Sequence, residues 1–227
     1  EDTSLIFASA NTVPNGLAVA DDAGANEIDL ALSVLHGTLR LADTTGLSFP
    51  SGADATGRMT IRGTLNALNA TLNGLRYTPD LNFNGADTLT LETNDRGFTG
   101  TQGALLDVDR VAINVRPVID GAPIVSNAAT TFRTQTASGL EIQRNPGDGP
   151  EAAFFQITGL ANGRLFHHDG KSEILNGHFV TASEGAAGLR FTPTANPRGD
   201  GSFNVQAALS DEANGSDLGG AVASATI

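Results

Sequence analysis

Apolar and polar residues alternate in short runs along the chain, so that every second side chain would fall on one face of an extended strand. In the first half the runs are Leu5-Ile6-Phe7, Ile28-Asp29-Leu30-Ala31-Leu32, Gly37-Thr38-Leu39-Arg40-Leu41, Asp87-Thr88-Leu89-Thr90-Leu91 and Arg110-Val111-Ala112-Ile113-Asn114-Val115. In the second half they are Gly139-Leu140-Glu141-Ile142, Phe154-Phe155-Gln156-Ile157, Arg164-Leu165-Phe166, Gly188-Leu189-Arg190-Phe191, Phe203-Asn204-Val205-Gln206-Ala207 and Ala221-Val222-Ala223. Asn-Gly pairs beginning at Asn15, Asn73, Asn84, Asn162, Asn176 and Asn214 punctuate them, and both residues accept the positive φ of tight turns. The pattern predicts an all-β chain of antiparallel sheets packed as sandwiches. One stretch departs from it. Leu65, Leu68 and Leu72 share one helical face between Thr64 and Asn73, and Gly74 can end that helix. The corresponding Ala182–Ala187 segment is too short and too Gly-broken for more than a turn.

The runs themselves repeat. Gly74-Leu75-Arg76-Tyr77-Thr78-Pro79 returns as Gly188-Leu189-Arg190-Phe191-Thr192-Pro193, an offset of 188 − 74 = 114 residues. His36-Gly37-Thr38-Leu39 precedes the first copy and Asn162-Gly163-Arg164-Leu165 the second. Thr93-Asn94-Asp95 follows one, and Leu209-Ser210-Asp211 the other. Self-similarity at a long period marks duplication of a module. The reading is therefore two domains, 1–119 and 120–227, joined by a short link bounded by Pro117 and Pro123.

The charge is carried by both halves. The 227 residues hold 13 Lys and Arg against 25 Asp and Glu, a net −12. Residues 1–119 contribute 14 acids and 7 bases, and residues 120–227 contribute 11 and 6. Such a field repels nucleic acid and anionic membrane and favours cations. The chain has no Cys, so disulfides and thiolate metal sites are excluded. No apolar run approaches the ~18 residues of a membrane span. Opening on Glu1-Asp2-Thr3 and ending inside a strand-like run, the sequence reads as a piece of something longer.

Catalytic chemistry finds little footing. There is no Cys nucleophile, no nucleophile elbow and no phosphate-binding glycine loop. Trp is absent and Tyr77 is the single tyrosine, placed inside the repeated strand where it reads as core. The 11 Phe fall mostly at alternating strand positions and read as packing. His167-His168-Asp169 and His178 suggest a transition-metal patch, yet adjacent histidines on a strand face opposite ways, so an exposed hairpin tip is the preferred account.

With those motifs in view, the chain resembles the cadherin-like tandem repeats of large bacterial surface and secreted proteins, and the related repeats of chondroitin-sulfate-proteoglycan type. The resemblance rests on Glu1-Asp2-Thr3, Val19-Ala20-Asp21-Asp22-Ala23-Gly24, His36-Gly37-Thr38-Leu39, Leu75-Arg76-Tyr77-Thr78-Pro79-Asp80, Asn82-Phe83-Asn84-Gly85, Thr93-Asn94-Asp95 and the closing Val111-Ala112-Ile113-Asn114-Val115. It implies two tandem Ig- or cadherin-like β-sandwiches, a non-catalytic structural or adhesion role outside the cell, and neighbouring repeats of the same chain as partners. It also implies Ca²⁺, held in the first module by Glu1, Asp2, Asp21, Asp22, Asn94 and Asp95, with Asp120 from the linker. The second module departs from this pattern: Phe132-Arg133-Thr134 puts a cation where an acidic pair is expected, while Asp148, Glu151, Asp211 and Asp217 keep oxygen ligands. Two other readings stand beside this one. The first is a module that recognises a cell-surface glycan or protein, for which Phe154-Phe155 and Phe166-His167 could form the platform; the second is an accessory domain of a secreted hydrolase.

Overall fold

The computed structural model describes residues 1–12, 14–98, 103–194, 199–212 and 217–227, so the Asn214-Gly215 turn lies outside the described residues. The chain divides into two compact units, Glu1–Arg116 and Pro117–Ile227. Both are mostly β, with antiparallel pairing throughout the described strands.

The first unit contains β1 (Leu5–Phe7), β2 (Ile28–Ser33), β3 (Gly37–Arg40), β4 (Ser48–Gly52), β5 (Arg58–Gly63), α1 (Leu65–Leu72), β6 (Leu75–Pro79), β7 (Gly85–Asn94) and β8 (Leu106–Val115). One sheet has the order β4-β5-β2-β7-β8 and the other β1-β6-β3. Alternation decides which face is buried. Ile28, Leu30 and Leu32 of β2, Met59 and Ile61 of β5, and Leu89 and Leu91 of β7 enter one core with Leu39 and Tyr77 of the smaller sheet. Burial of such side chains is the main stabilising term, about 1.5–3 kcal/mol each. Helix α1 starts where expected: Thr64 caps it by accepting from the Ala67 N–H at 3.4 Å, and Leu68 and Leu72 are buried. Gly74 ends it at φ +111°, its N–H donating to Phe7 O.

The second unit contains β9 (Ile124–Val125), β10 (Ile142–Gln143), β11 (Phe154–Ala161), β12 (Gly163–Phe166), β13 (Glu173–Ile174), β14 (Phe179–Thr181), α2 (Ala182–Ala186), β15 (Arg190–Pro193), β16 (Ser202–Ala208) and β17 (Leu218–Thr226). Its larger sheet runs β14-β11-β16-β17, the order of β5-β2-β7-β8 without the β4 edge. A two-stranded β10-β9 sheet and a three-stranded β13-β12-β15 sheet complete it. Phe155, Ile157, Leu165, Phe191, Phe203 and Val205 form its core.

The repeated hexapeptides occupy the same position in both units. Leu39 pairs with Tyr77 and Gly37 with Pro79; Leu165 pairs with Phe191 and Gly163 with Pro193, an identical register. The glycine of each upstream motif has a physical reason. A Cβ on Gly37 would stand 3.0 Å from the Tyr77 ring, and one on Gly163 would stand 2.2 Å from the Phe191 ring. Each aromatic side chain therefore lies over backbone that only glycine leaves bare.

Two expected strands are shorter than the pattern suggested. Gly139 and Leu140 have φ +82° and +58°, so the run at 139–142 becomes extended only at Ile142. Gly188 at φ +82° likewise delays β15 to Arg190. Phe132-Arg133-Thr134 is no strand at all: Arg133 sits at φ +59° with its guanidinium 5.0 Å from the Phe132 ring centre.

Candidate functional site

In the first unit the acidic side chains singled out from the sequence are turned on their own loops. Asp21 Oδ1 accepts from the Ala23 N–H at 2.7 Å, and Asp22 is exposed. Asn94 Oδ1 accepts from the Arg96 N–H at 2.8 Å. Asp95, only 2 % exposed, accepts through Oδ1 from the Gly97 and Leu105 N–H groups at 2.9 and 2.7 Å. That carboxylate thereby ties the end of β7 to the start of β8. Glu1 is buried, with Asn84 Nδ2 donating to its Oε2 at 3.3 Å, whereas Asp2 is exposed at φ +58°. Among the described residues, neither unit taken by itself brings three carboxylate or imidazole groups within 4.8 Å of one another. Asp120 belongs to the second unit.

The best-buried carboxylate of the first unit after Asp95 was not anticipated. Asp87 lies in the core-facing row of β7, 4 % exposed, with four donors around it. Its Oδ1 accepts from the Leu35 and Thr88 N–H groups at 3.1 and 2.7 Å; its Oδ2 lies 3.0 Å from both the His36 N and the Tyr77 Oη. Burial pushes the Asp87 carboxyl up, but these donors outweigh it and hold it below the ordinary carboxylate range. Burial, with the Asp87 carboxylate beside it, raises the Tyr77 phenol. Tyr77 is thus a core residue whose hydroxyl is satisfied, with His36 O only 2.6 Å away.

The second unit holds a different arrangement, in the loop Asn145–Glu151. The turn is drawn by side chains: Asn145 Oδ1 accepts from the Gly147 N–H at 2.8 Å, Asn145 Nδ2 donates to Ala122 O at 3.1 Å, and Glu151 Oε1 accepts from the Gly149 N–H. Asp148 is 8 % exposed, and its Oδ1 accepts from the Asp120 N–H at 2.7 Å. Its Oδ2 is buried without a hydrogen-bond partner. An unpartnered buried oxygen on a charged group costs at least about 1–3 kcal/mol. A Cβ on Gly147 would stand 3.2 Å from Asn145 Oδ1 and 3.3 Å from Asp120 Oδ2, so these two oxygens approach the bare glycine backbone closely. Asp148, Asp120, Asn145 and Glu151 offer only oxygen, the donor set of a hard cation such as Ca²⁺. Of the other second-unit acids named from the sequence, Asp217 accepts from the Ser210 hydroxyl at 2.6 Å and Asp211 is exposed.

The histidines do occupy a hairpin tip, between β12 and β13. There the His167 N–H bonds Ser172 O at 2.9 Å, and the Asp169 carboxylate gathers the Ser172 hydroxyl and the Lys171 and Ser172 N–H groups, which hold it down to about 2. Because the chain turns there, both His167 and His168 line one open cleft with Glu184, and His167 Nδ1 lies 3.3 Å from Glu184 Oε1. His178 lies apart, in the turn before β14. Of the phenylalanines weighed as a recognition platform, Phe155 is fully buried, and Phe154 and Phe166 are half-buried. No helix among the described residues is long and apolar enough to cross a membrane. No family model matches the chain, and no curated protein matches it.

Proposed function

We propose that the chain is a pair of tandem cadherin-like β-sandwich repeats with a non-catalytic structural role, extending and spacing parts of an exported bacterial protein, and that Ca²⁺ stiffens it. The observation that carries the repeat reading is the shared register of the two hexapeptides against Gly37–Arg40 and Gly163–Phe166. Two copies of one architecture that differ in their loops but keep their cores are what a spacer requires, since its work is done by length and stiffness. The support for Ca²⁺ is the orphaned Asp148 Oδ2, in a loop that also carries the Asn145 and Glu151 oxygens and is bonded by the Asp120 N–H. A bound cation would satisfy that oxygen by coordination.

Isothermal titration of the chelator-treated chain with CaCl₂, and separately with MgCl₂, tests the cation. Saturable heat with Ca²⁺ that is lost in Asp148→Asn supports it. No saturable heat up to about 10 mM, a concentration that covers weak extracellular-type sites, removes calcium from the account.

A further inference from the structure

Strand β8 is ten residues long and stands at the edge of its sheet, bonded on one side to β7 along its whole length. Such an edge is a template for pairing with another chain. The other long or terminal edges are blunted by their backbone. On the opposite side of the same sheet, β4 is five residues long, contains Pro50 and is interrupted between Ser48 and Ser51. In the second unit the Ala128 N–H bonds Thr226 O and the Thr226 N–H bonds Asn127 Oδ1, while Gly220 lies so close to Gly121 that a Cβ would stand 2.2 Å from its oxygen. The β17 edge is thus occupied near both of its ends. At the far side of that sheet β14 has three residues and runs straight into α2.

No comparable device protects β8 among the described residues, and its outer face is apolar at the exposed end: Leu106 is 62 % and Val108 38 % exposed. What it carries instead is charge on the core-facing row. Asp107 and Asp109 continue the row of Val111, Ile113 and Val115, opposite Thr93 and Leu91 of β7, and both are exposed in a cleft shared with Ala18, Val19 and Ala20. Alternation assigns those two positions to apolar side chains, so the two carboxylates are the departure that needs a reason.

We infer that Asp107 and Asp109 are electrostatic guards that keep β8 from pairing with β8 of a second copy of this chain. Antiparallel strands set side chains of the same face opposite one another, about 5 Å apart. In a two-fold pair of β8 strands, the register that opposes Asp107 to Asp109 of the second copy creates two carboxylate pairs at once. Sliding to the register centred on Asp109 sets that residue against itself. Sliding further, to the near-complete overlap centred on Arg110, sets one guanidinium against another and lays both carboxylates against Val111 and Ile113. Each register is penalised, and the acidity of both units adds a general repulsion at longer range. In a protein built of repeats, where copies meet at high local concentration, an unguarded edge of this length would zip.

The test uses the whole chain and two isosteric neutral replacements, Asp107→Asn/Asp109→Asn, compared with Asp80→Asn/Glu27→Gln, which removes the same charge away from the edge. Both acids of the edge are exposed, so the fold is expected to persist, checked by the unfolding midpoint. Sedimentation equilibrium at low salt is expected to show the wild type and the control as monomers of 23.2 kDa. The edge variant is expected to self-associate at least about tenfold more tightly, with amide-exchange protection appearing along 106–115. The wild type supplies an independent arm: at 1 M salt, where screening shortens to about 3 Å, it should associate through the same amides. An edge variant that stays as monomeric as the control, or that associates without protecting 106–115, overturns the inference.

Discussion

Asp87→Asn is the sharpest probe of how the first unit is held together. The side chain keeps its shape, but one of its two oxygens becomes an NH₂ group. On one side that NH₂ would face the Leu35 and Thr88 N–H groups; on the other it would face the His36 N–H and the Tyr77 hydroxyl. Either orientation sets donor against donor in a site that is 4 % exposed. Hydrogen bonds to a charged acceptor contribute about 1.5–3 kcal/mol, and water can reach the Leu35 end of this network, so the net loss should be about 2–3 kcal/mol. For a unit of this size that is a fall in melting temperature of roughly 8–15 °C. The chain carries its own reporter, because Tyr77 is the single tyrosine and there is no tryptophan. Its fluorescence in a urea titration follows the first unit alone. The pH dependence has a fixed sign. The Asp87 carboxyl is held below its unfolded value, so its contribution is fully present above about pH 4 and is lost as pH falls through the folded value. The wild type should therefore lose first-unit stability below about pH 4 more steeply than Asp87→Asn does. A urea midpoint shift worth less than about 0.5 kcal/mol, or an unchanged acid slope, would refute the reasoning.

Phe191→Ala empties the ring position between Gly163 and Gly201 and should cost the second unit about 3–5 kcal/mol, while the Tyr77 fluorescence transition stays where it was. A matching shift in that transition would show that the two cores do not unfold separately. Gly147→Ala places a methyl 3.2–3.3 Å from Asn145 Oδ1 and Asp120 Oδ2, so it should abolish the calcium response while changing metal-free stability by under about 1 kcal/mol, read by calorimetry with and without CaCl₂. Thr181→Ala removes the capping box that Thr181 and Glu184 form at the start of α2, and chemical denaturation should show a loss of about 0.5–2 kcal/mol from the second unit.

The strands that alternate cleanly were legible in the sequence, because period two is enough to choose a buried face: β2, β7, β11 and β16 all follow it. The matching hexapeptides were legible as well, and each pairs in the same register with a strand whose glycine lies under its aromatic ring. Strand β4 was not, because Ser48-Phe49-Pro50-Ser51-Gly52 is exposed on nearly every residue and its proline reads as an ending. Leu140 shows another limit, since nothing local announces that a leucine will adopt φ +58°. Acidic residues were visible as chemistry but not as neighbours. Asp87 draws its donors from Leu35, His36 and Tyr77, distant in sequence, and Asp148 owes its orphaned oxygen to burial that no local pattern encodes. Asp21, Asn94 and Asp95 each spend an oxygen on an N–H group two residues on, as loop residues in turns do.

The central claim is that a calcium-stiffened repeat is built around Asp148, and thermal unfolding with and without Ca²⁺ tests it most directly. The chelator-treated chain is scanned by calorimetry alone, with 1 mM CaCl₂ and with 1 mM MgCl₂, and Tyr77 fluorescence marks which transition belongs to the first unit. If the site binds with a dissociation constant near 0.1 mM, linkage adds about 1.4 kcal/mol. The account predicts a rise of several degrees in the transition that Tyr77 does not report, specific to Ca²⁺ and absent in Asp148→Asn. A second-unit transition that is the same in all three buffers would contradict it.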